Sequence, residues 1–292
     1  MNAIEASGLT RYYGPQRGVR DLALTIPEGS VFGLLGENAS GKTTTIRLAM
    51  GALFPDRGTV RTLGVDPADM PPATRARIGY VADEMEVPPW MTLREAMELQ
   101  AAYFPTWDSD FARGLMRRFE LEGSMVFRAL SKGQKRRFIL TLVLAQKPEL
   151  LVLDEPAGGL DVGIRRQFLD LLMEMLAERS MTIVISSHIL SDVERIVDRV
   201  GFIKDGRIVR EGELEDLKSR VKRLCLPSPR QEGLLKERFT LLGLQRDQEA
   251  LLAVVEDFDP ARLDGLEATV EHLNLEELFL AFNTAKKTED AQ

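Results

Sequence analysis

The chain reads as an α/β protein, and three observations predict it. Short, almost wholly apolar runs stand at Val31-Phe32-Gly33-Leu34-Leu35, Leu150-Leu151-Val152-Leu153 and Thr182-Ile183-Val184-Ile185-Ser186. Runs of that length are strands covered on both faces, as in a parallel sheet between helices. Segments of helix length separate them, and the first run leads through a glycine-punctuated loop into a helix. With 292 residues there is room for one large domain and a small appendage. Hydrophobic residues at 44% and charged residues at 28% exclude extensive disorder.

Along the chain, residues 1–35 are β structure: Leu22, Leu24 and Ile26 alternate with polar neighbours, and Pro27-Glu28-Gly29 turns the chain. A helix is expected from Lys42 to Gly51. Residues 86–146 are mostly helical: Thr92 and Glu95 form a capping box for a helix to about Tyr103, a second helix covers Ser109–Phe119, and a third runs from Gly133 to Gln146. After the strand at 150–153 come a helix at Val162–Glu178, the strand at 182–186, and a hairpin at Asp205-Gly206. Beyond Ser219 the composition shifts. Pro227-Ser228-Pro229 is expected to be a linker or loop, Leu251–Val255 a strand and Asn274 a helix N-cap, so 220–285 reads as a small α+β unit with a polar, frayed tail at 286–292.

The net charge of −7 argues against a nucleic-acid partner. The single cysteine, Cys225, excludes an intrachain disulfide and is expected to be a small core hydrophobe. No apolar run is long enough to span a bilayer, and the N-terminus lacks the regions of a signal peptide. A cytoplasmic protein is expected, reaching a membrane only through a partner chain.

Gly36-Glu37-Asn38-Ala39-Ser40-Gly41-Lys42-Thr43 fits G-x-x-x-x-G-K-[ST] between a buried strand and a helix, with Thr44 continuing the helix start. Glycines let such a loop curl so that backbone N–H groups face phosphate oxygens, and the helix adds the positive end of its dipole. Lys42 can reach the β- and γ-phosphates, and the Thr43 hydroxyl can ligate Mg²⁺. Asp154-Glu155 ends a buried strand, where ligands bind in open α/β sheets. Asp154 suits Mg²⁺ and Glu155 suits polarisation of an attacking water.

Further motifs carry a resemblance. Leu130-Ser131-Lys132-Gly133-Gln134 resembles the LSGGQ signature of ATP-binding cassette (ABC) ATPases, Gly159-Leu160-Asp161 their D-loop, Ser186-Ser187-His188 their switch-histidine loop, and Tyr13-Gly14 their adenine-stacking A-loop. The resemblance covers about residues 1–218. It implies a RecA-like mixed-sheet core with an antiparallel β subdomain, a helical subdomain at about 86–147, and an ATP-binding domain over 1–219. It also implies a head-to-tail dimer in which Ser131 and Gly133 of one chain meet the γ-phosphate on the other, with Lys132 and Gln134 beside them, and in which His188 and Glu155 position water. Two positions depart from the family: Lys132 replaces the first signature glycine, and Asp83 stands where a glutamine usually relays nucleotide state, with a Mg²⁺ contact still open to it. His272 has no motif around it and is read as structural.

One phosphate loop per chain implies a second copy or a paralogous ATPase chain. The stretch between Thr43 and Ser131 is too short for long coiled-coil insertions, and no Asn-Lys-x-Asp guanine motif is present. Tyr103–Asp108, Ser131–Gln134, Ser187–Asp192 and Leu275–Phe279 resemble the ATPase subunits of ABC-2-type exporters, so a separate transmembrane permease is implied, docking near residues 83–105. Tyr103, Phe104 and Trp107 are otherwise expected to pack their helix, and Arg220–Arg223 to be a solvated face. The competing function class is a soluble ATPase acting as a nucleotide-dependent switch or regulator.

Overall fold

The apolar runs do lie side by side. The computed structural model describes residues 1–14, 18–82, 85–156, 162–178, 181–246 and 250–285. Strands β1 (Asn2–Tyr12), β2 (Gly18–Pro27) and β3 (Val31–Leu35) lead into helix α1 (Lys42–Ala49) and β4 (Arg57–Thr62). The short α2 (Pro72–Arg75) and β5 (Ile78–Val81) follow, then the helices α3 (Leu93–Tyr103), α4 (Ser109–Arg118) and α5 (Lys132–Leu144). Next come β6 (Leu150–Asp154), α6 (Val162–Glu178), β7 (Thr182–Ser187), α7 (Leu190–Val193), β8 (Arg199–Lys204), β9 (Arg207–Glu213) and α8 (Leu214–Arg220). The chain ends with β10 (Lys222–Leu226), α9 (Glu232–Arg238), β11 (Thr240–Arg246), β12 (Leu251–Glu256), β13 (Thr269–His272) and α10 (Leu275–Ala285).

A six-stranded sheet has the order β5-β6-β7-β3-β8-β9. All its pairs are parallel except β8–β9, the Asp205-Gly206 hairpin. Successive residues alternate between its faces. Val31, Leu35, Leu151, Leu153, Ile183 and Ile185 pack with α3–α7. Phe32, Leu34, Leu150, Val152 and Val184 face α1 and the antiparallel sheet β2-β1-β4. The consequence matters for function: the carboxyl ends of β5, β6, β7 and β3 lie along one edge of the sheet, in that order.

The C-terminal sheet, β11-β12-β10-β13, is antiparallel throughout. One face carries its own cluster around Leu224, Leu226, Leu235, Phe239, Leu251, Ala253 and Val255. Helix α10 instead returns to the larger core, where Phe279 and Phe282 sit 5.7 Å from the ring of Phe202. Burying an aromatic of this kind stabilises by about 1.5–3 kcal/mol, so these rings hold α10 against β8.

Some local expectations change or narrow. Cys225 faces away from the cluster and is half-buried, because it falls on the odd face of β10. Arg220–Arg223 is a solvated face only in part: Arg220 is exposed and pairs with Asp257 at 2.5 Å, whereas Arg223 pairs with Glu277 at 2.9 Å and Lys222 is buried against the Lys218 carbonyl and His272. Of the two readings offered for Pro227-Ser228-Pro229, the loop holds and the linker does not: the segment lies inside the C-terminal unit, where Ser228 caps a 3₁₀ turn. Trp107 packs against the core, but Tyr103 is 73% exposed.

Candidate nucleotide site

The loop from Gly36 to Gly41 curls because two of its positions accept only glycine. A Cβ on Gly36 would stand 2.4 Å from the Ile203 carbonyl oxygen and 2.5 Å from Ser40 Oγ. Gly41, at φ +113°, is both in the left-handed range and the N-cap of α1, where no side chain caps the helix. The helix therefore presents its positive end to the loop, a ready anion site. An open cavity of about 460 Å³ is lined by Tyr13, Gly18, Asn38–Thr44 and Glu155. The half-exposed Tyr13 ring, with the Arg11 guanidinium 5.7 Å from its centre, forms one wall.

Lys42 is 5% exposed, and its ammonium donates to the carbonyls of Gly36 at 2.7 Å and Glu37 at 3.1 Å. It also lies 3.2 Å from Glu155 Oε1. That oxygen is buried and accepts no hydrogen bond. The other carboxylate oxygen of Glu155 is 2.8 Å from His188 Nδ1. A carboxylate only accepts, so the imidazole carries its proton on Nδ1. Thus β3, β6 and β7 each deliver one member of a Lys–Glu–His array at the sheet edge.

Asp154 is almost fully buried at the end of β6. Its Oδ1 accepts from Thr43 Oγ1 at 3.2 Å and from Ser186 Oγ at 2.6 Å. The Ser186 hydroxyl in turn accepts the Glu155 N–H at 2.9 Å. Glu155 itself has φ +49°, a left-handed backbone that costs a non-glycine residue about 1–3 kcal/mol unless its surroundings hold it. Motif reading flagged Ser186 only as part of the histidine loop. Its β7 register opposite Asp154 is what makes it a bridge between the Asp154 carboxylate and the main-chain N–H of Glu155.

Ser131 caps α5: its Oγ accepts from Gln134 N at 3.2 Å, and Gln134 Oε1 accepts from Ser131 N at 2.9 Å. The signature is thus a capping box as well. Ser131 and Lys132 are exposed, Gly133 and Gln134 partly so, and none of the four lines the phosphate-loop cavity of the same chain. Asp83 and the Gly159-Leu160-Asp161 motif lie outside the described residues. No group of three or more His, Cys, Asp or Glu capable of holding a metal occurs among the described residues; Thr43 Oγ1 and Asp154 Oδ1 stand 3.2 Å apart.

A phosphate cradle at the head of α1, carboxylates after β6 and a histidine after β7 define a phosphate-loop nucleoside triphosphatase of the cassette type. The family profile for ABC transporters matches residues 19–158. The ABC transporter ATP-binding protein YtrB of Bacillus subtilis (strain 168) is 35% identical over 215 residues, covering 74% of this chain and 73% of that one. A Nod factor export ATP-binding protein I from Burkholderia lata is 30% identical over 305 residues and covers 98% of both. Among solved structures, a dimeric bacterial ABC transporter cassette matches with a TM-score of 0.64 and 25% identity, covering 72% of this chain and 98% of that one. The chain belongs to the ABC transporter ATP-binding proteins, and it is an ATPase. Among the described residues no helix is long and apolar enough to cross a membrane.

Proposed function

We propose that the chain is the ATP-hydrolysing subunit of an ABC-2-type exporter, working as a head-to-tail dimer that drives a separate membrane subunit. The observation that carries this reading is the Glu155 carboxylate, held between Lys42 of the phosphate loop and His188. Export is supported by the Burkholderia lata relative, which spans the C-terminal unit as well. The relatives named above are transporter ATP-binding proteins and do not favour the soluble-switch alternative.

In this reading residues 1–219 form the ATP-binding domain, with the helical subdomain at about 86–147, and 220–285 form the smaller α+β domain. Tyr13 stacks on adenine. The N–H groups of residues 36–44 and the end of α1 bind the phosphates, and Lys42 turns from the Gly36 and Glu37 carbonyls towards them. Thr43 and Asp154 fit Mg²⁺, which takes one or two protein oxygens beside phosphate oxygens and waters. When bound, that ion neutralises charge on the phosphates. Glu155 accepts a proton from the attacking water through Oε1, the oxygen without a hydrogen bond. His188 orients that carboxylate and meets the γ-phosphate. Ser131 and Gly133 of the second chain close the site, since the signature lies exposed and away from its own chain's cavity. Asp161 of the D-loop motif and Asp83 at the relay glutamine's position take the roles that the resemblance implies.

The membrane subunit docks by a cytoplasmic helix in the groove of about 510 Å³ between α3 and α4, lined by Arg94, Met97, Trp107, Met116 and Arg117. Leu99 and Tyr103 of α3, and Trp90 in the turn before it, are exposed. The protein therefore works at the inner face of the cell membrane, held there by its partner. The test is ATP-dependent association of Glu155→Gln in sedimentation: the variant should bind ATP and remain dimeric while turnover ceases. Parent-rate turnover in Glu155→Gln would remove the assignment of Glu155.

A further inference from the structure

Arg136 lies one turn into α5, just beyond the signature, and is only 7% exposed. A buried guanidinium is costly unless its N–H groups are taken up. Here they are spent on main-chain carbonyls of two distant segments. Nε donates to the Pro156 oxygen at 3.1 Å, and Nη2 donates to Glu155 O at 2.6 Å and Asp154 O at 3.4 Å. Nη1 donates to the Ala82 oxygen at 3.0 Å, just past the end of β5. One planar fork therefore joins the signature helix, the turn that carries both carboxylates, and the segment leading from β5.

The turn needs such a grip. Glu155 has a left-handed backbone, and its N–H is held from one side by Ser186. Arg136 holds the carbonyls on the other side. With the peptide groups on both sides of Glu155 fixed, its Cα–Cβ direction is fixed, and with it the reach of the carboxylate to Lys42 and His188. We propose that Arg136 is a positioning residue that sets the Glu155 carboxylate and ties its placement to the signature helix and to the end of β5. This rests on the reading of Glu155 given above. A shift of the β5 end or of α5 on partner docking or dimer closure is then felt at the water-activating group through the Arg136 fork. Lysine cannot substitute, because three donors on one nitrogen do not span a planar set of carbonyls.

The test uses Arg136→Gln and Arg136→Lys in the full chain, assembled with its membrane subunit in lipid. Affinity for ATP, KM and kcat are measured, with Glu155→Gln alone and combined with Arg136→Gln. The expected result is a fall in kcat approaching the roughly 100-fold that a misplacement of 1 Å costs. KM and ATP affinity should stay within about twofold, the spread of independent sites. Stimulation by the membrane subunit should be lost, Arg136→Lys should recover only part of the rate, and Arg136→Gln should add no further loss in single turnover once Glu155→Gln is present. Should Arg136→Gln not fold, Arg136→Lys carries the same split between kcat and KM. A parent kcat in both variants, a loss of affinity matching the loss of rate, or losses that multiply with Glu155→Gln would each overturn the proposal. Parent-rate activity in Glu155→Gln would instead strike the Glu155 assignment, on which the Arg136 role depends; an inactive Glu155→Gln with fully active Arg136 variants strikes only the positioning role.

Discussion

The phosphate cradle and the carboxylate turn sit at the same sheet edge but are held in opposite ways. The cradle at residues 36–44 owes its curl to its own glycines: Gly41 takes a left-handed backbone, Gly36 leaves room for the Ile203 carbonyl of β8, and α1 begins within the motif. The turn at 154–156 is shaped from outside. Ser186, 32 residues away, hydrogen-bonds Asp154 at 2.6 Å, and Arg136, 19 residues away, hydrogen-bonds the Glu155 carbonyl at 2.6 Å. The residues that give the cradle its curl are therefore local in sequence, whereas the placement of the proposed catalytic carboxylate depends on α5 and β7 keeping their places. That difference suits a motor: nucleotide can be held steadily while hydrolysis waits on assembly.

The largest expected effect comes from the turn itself. Replacing Glu155 by glutamine removes the proposed proton acceptor, and kcat should fall roughly 100- to 10,000-fold, with ATP affinity kept; steady-state turnover beside equilibrium ATP binding checks this. The cradle should fail in the other direction. In Gly36→Ala the new methyl meets a backbone oxygen at 2.4 Å. An overpacking cost of about 1–3 kcal/mol should appear as weaker ATP binding in calorimetry, together with a lower thermal midpoint. If Gly36→Ala bound ATP as tightly as the parent, the cradle would not be the rigid element described.

A smaller change sharpens the contrast. Ser186→Ala removes the bridge between Asp154 and the Glu155 N–H, leaving a buried donor without its partner at a cost of about 1–3 kcal/mol. Part of that cost should surface as a fall in kcat of about tenfold, since 1.4 kcal/mol is a factor of ten, while KM holds. An unchanged kcat with a raised KM would place Ser186 with the cradle instead.

The smallest effect lies far from the site and serves as a control. Arg246, and after it Lys236, hydrogen-bond Glu232 and depress its carboxyl to about 2, tying α9 to β11. A carboxylate with a lowered folded pKa contributes stability that is complete above its unfolded value of 4.5 and is lost as pH falls through about 2. Glu232→Gln should therefore lower the thermal midpoint slightly at pH 7, and its difference from the parent should shrink across that window. ATP turnover should not change.

The same contrast explains what the sequence made legible. The cradle, the carboxylate pair and His188 were readable because each is a short run with its own context of buried strand and loop. The sheet order brought them together as α/β connectivity requires. Ser186 as a bridge and Arg136 as a clasp were not readable, because their partners are main-chain atoms and a cross-strand neighbour set by register. Cys225 was misjudged because the face of a strand depends on which residue begins it: a shift of one exchanges inside for outside. The basic run 220–223 looked solvated because its acidic partners, Asp257, Glu271 and Glu277, come from later in the chain.

The most direct measurement is the ATPase rate of the purified chain, alone and with its membrane subunit in lipid, with Glu155→Gln in parallel. An exporter motor predicts stimulation by the membrane subunit that disappears in the variant. A robust rate indifferent to that subunit would contradict the exporter account and describe a soluble nucleotide switch.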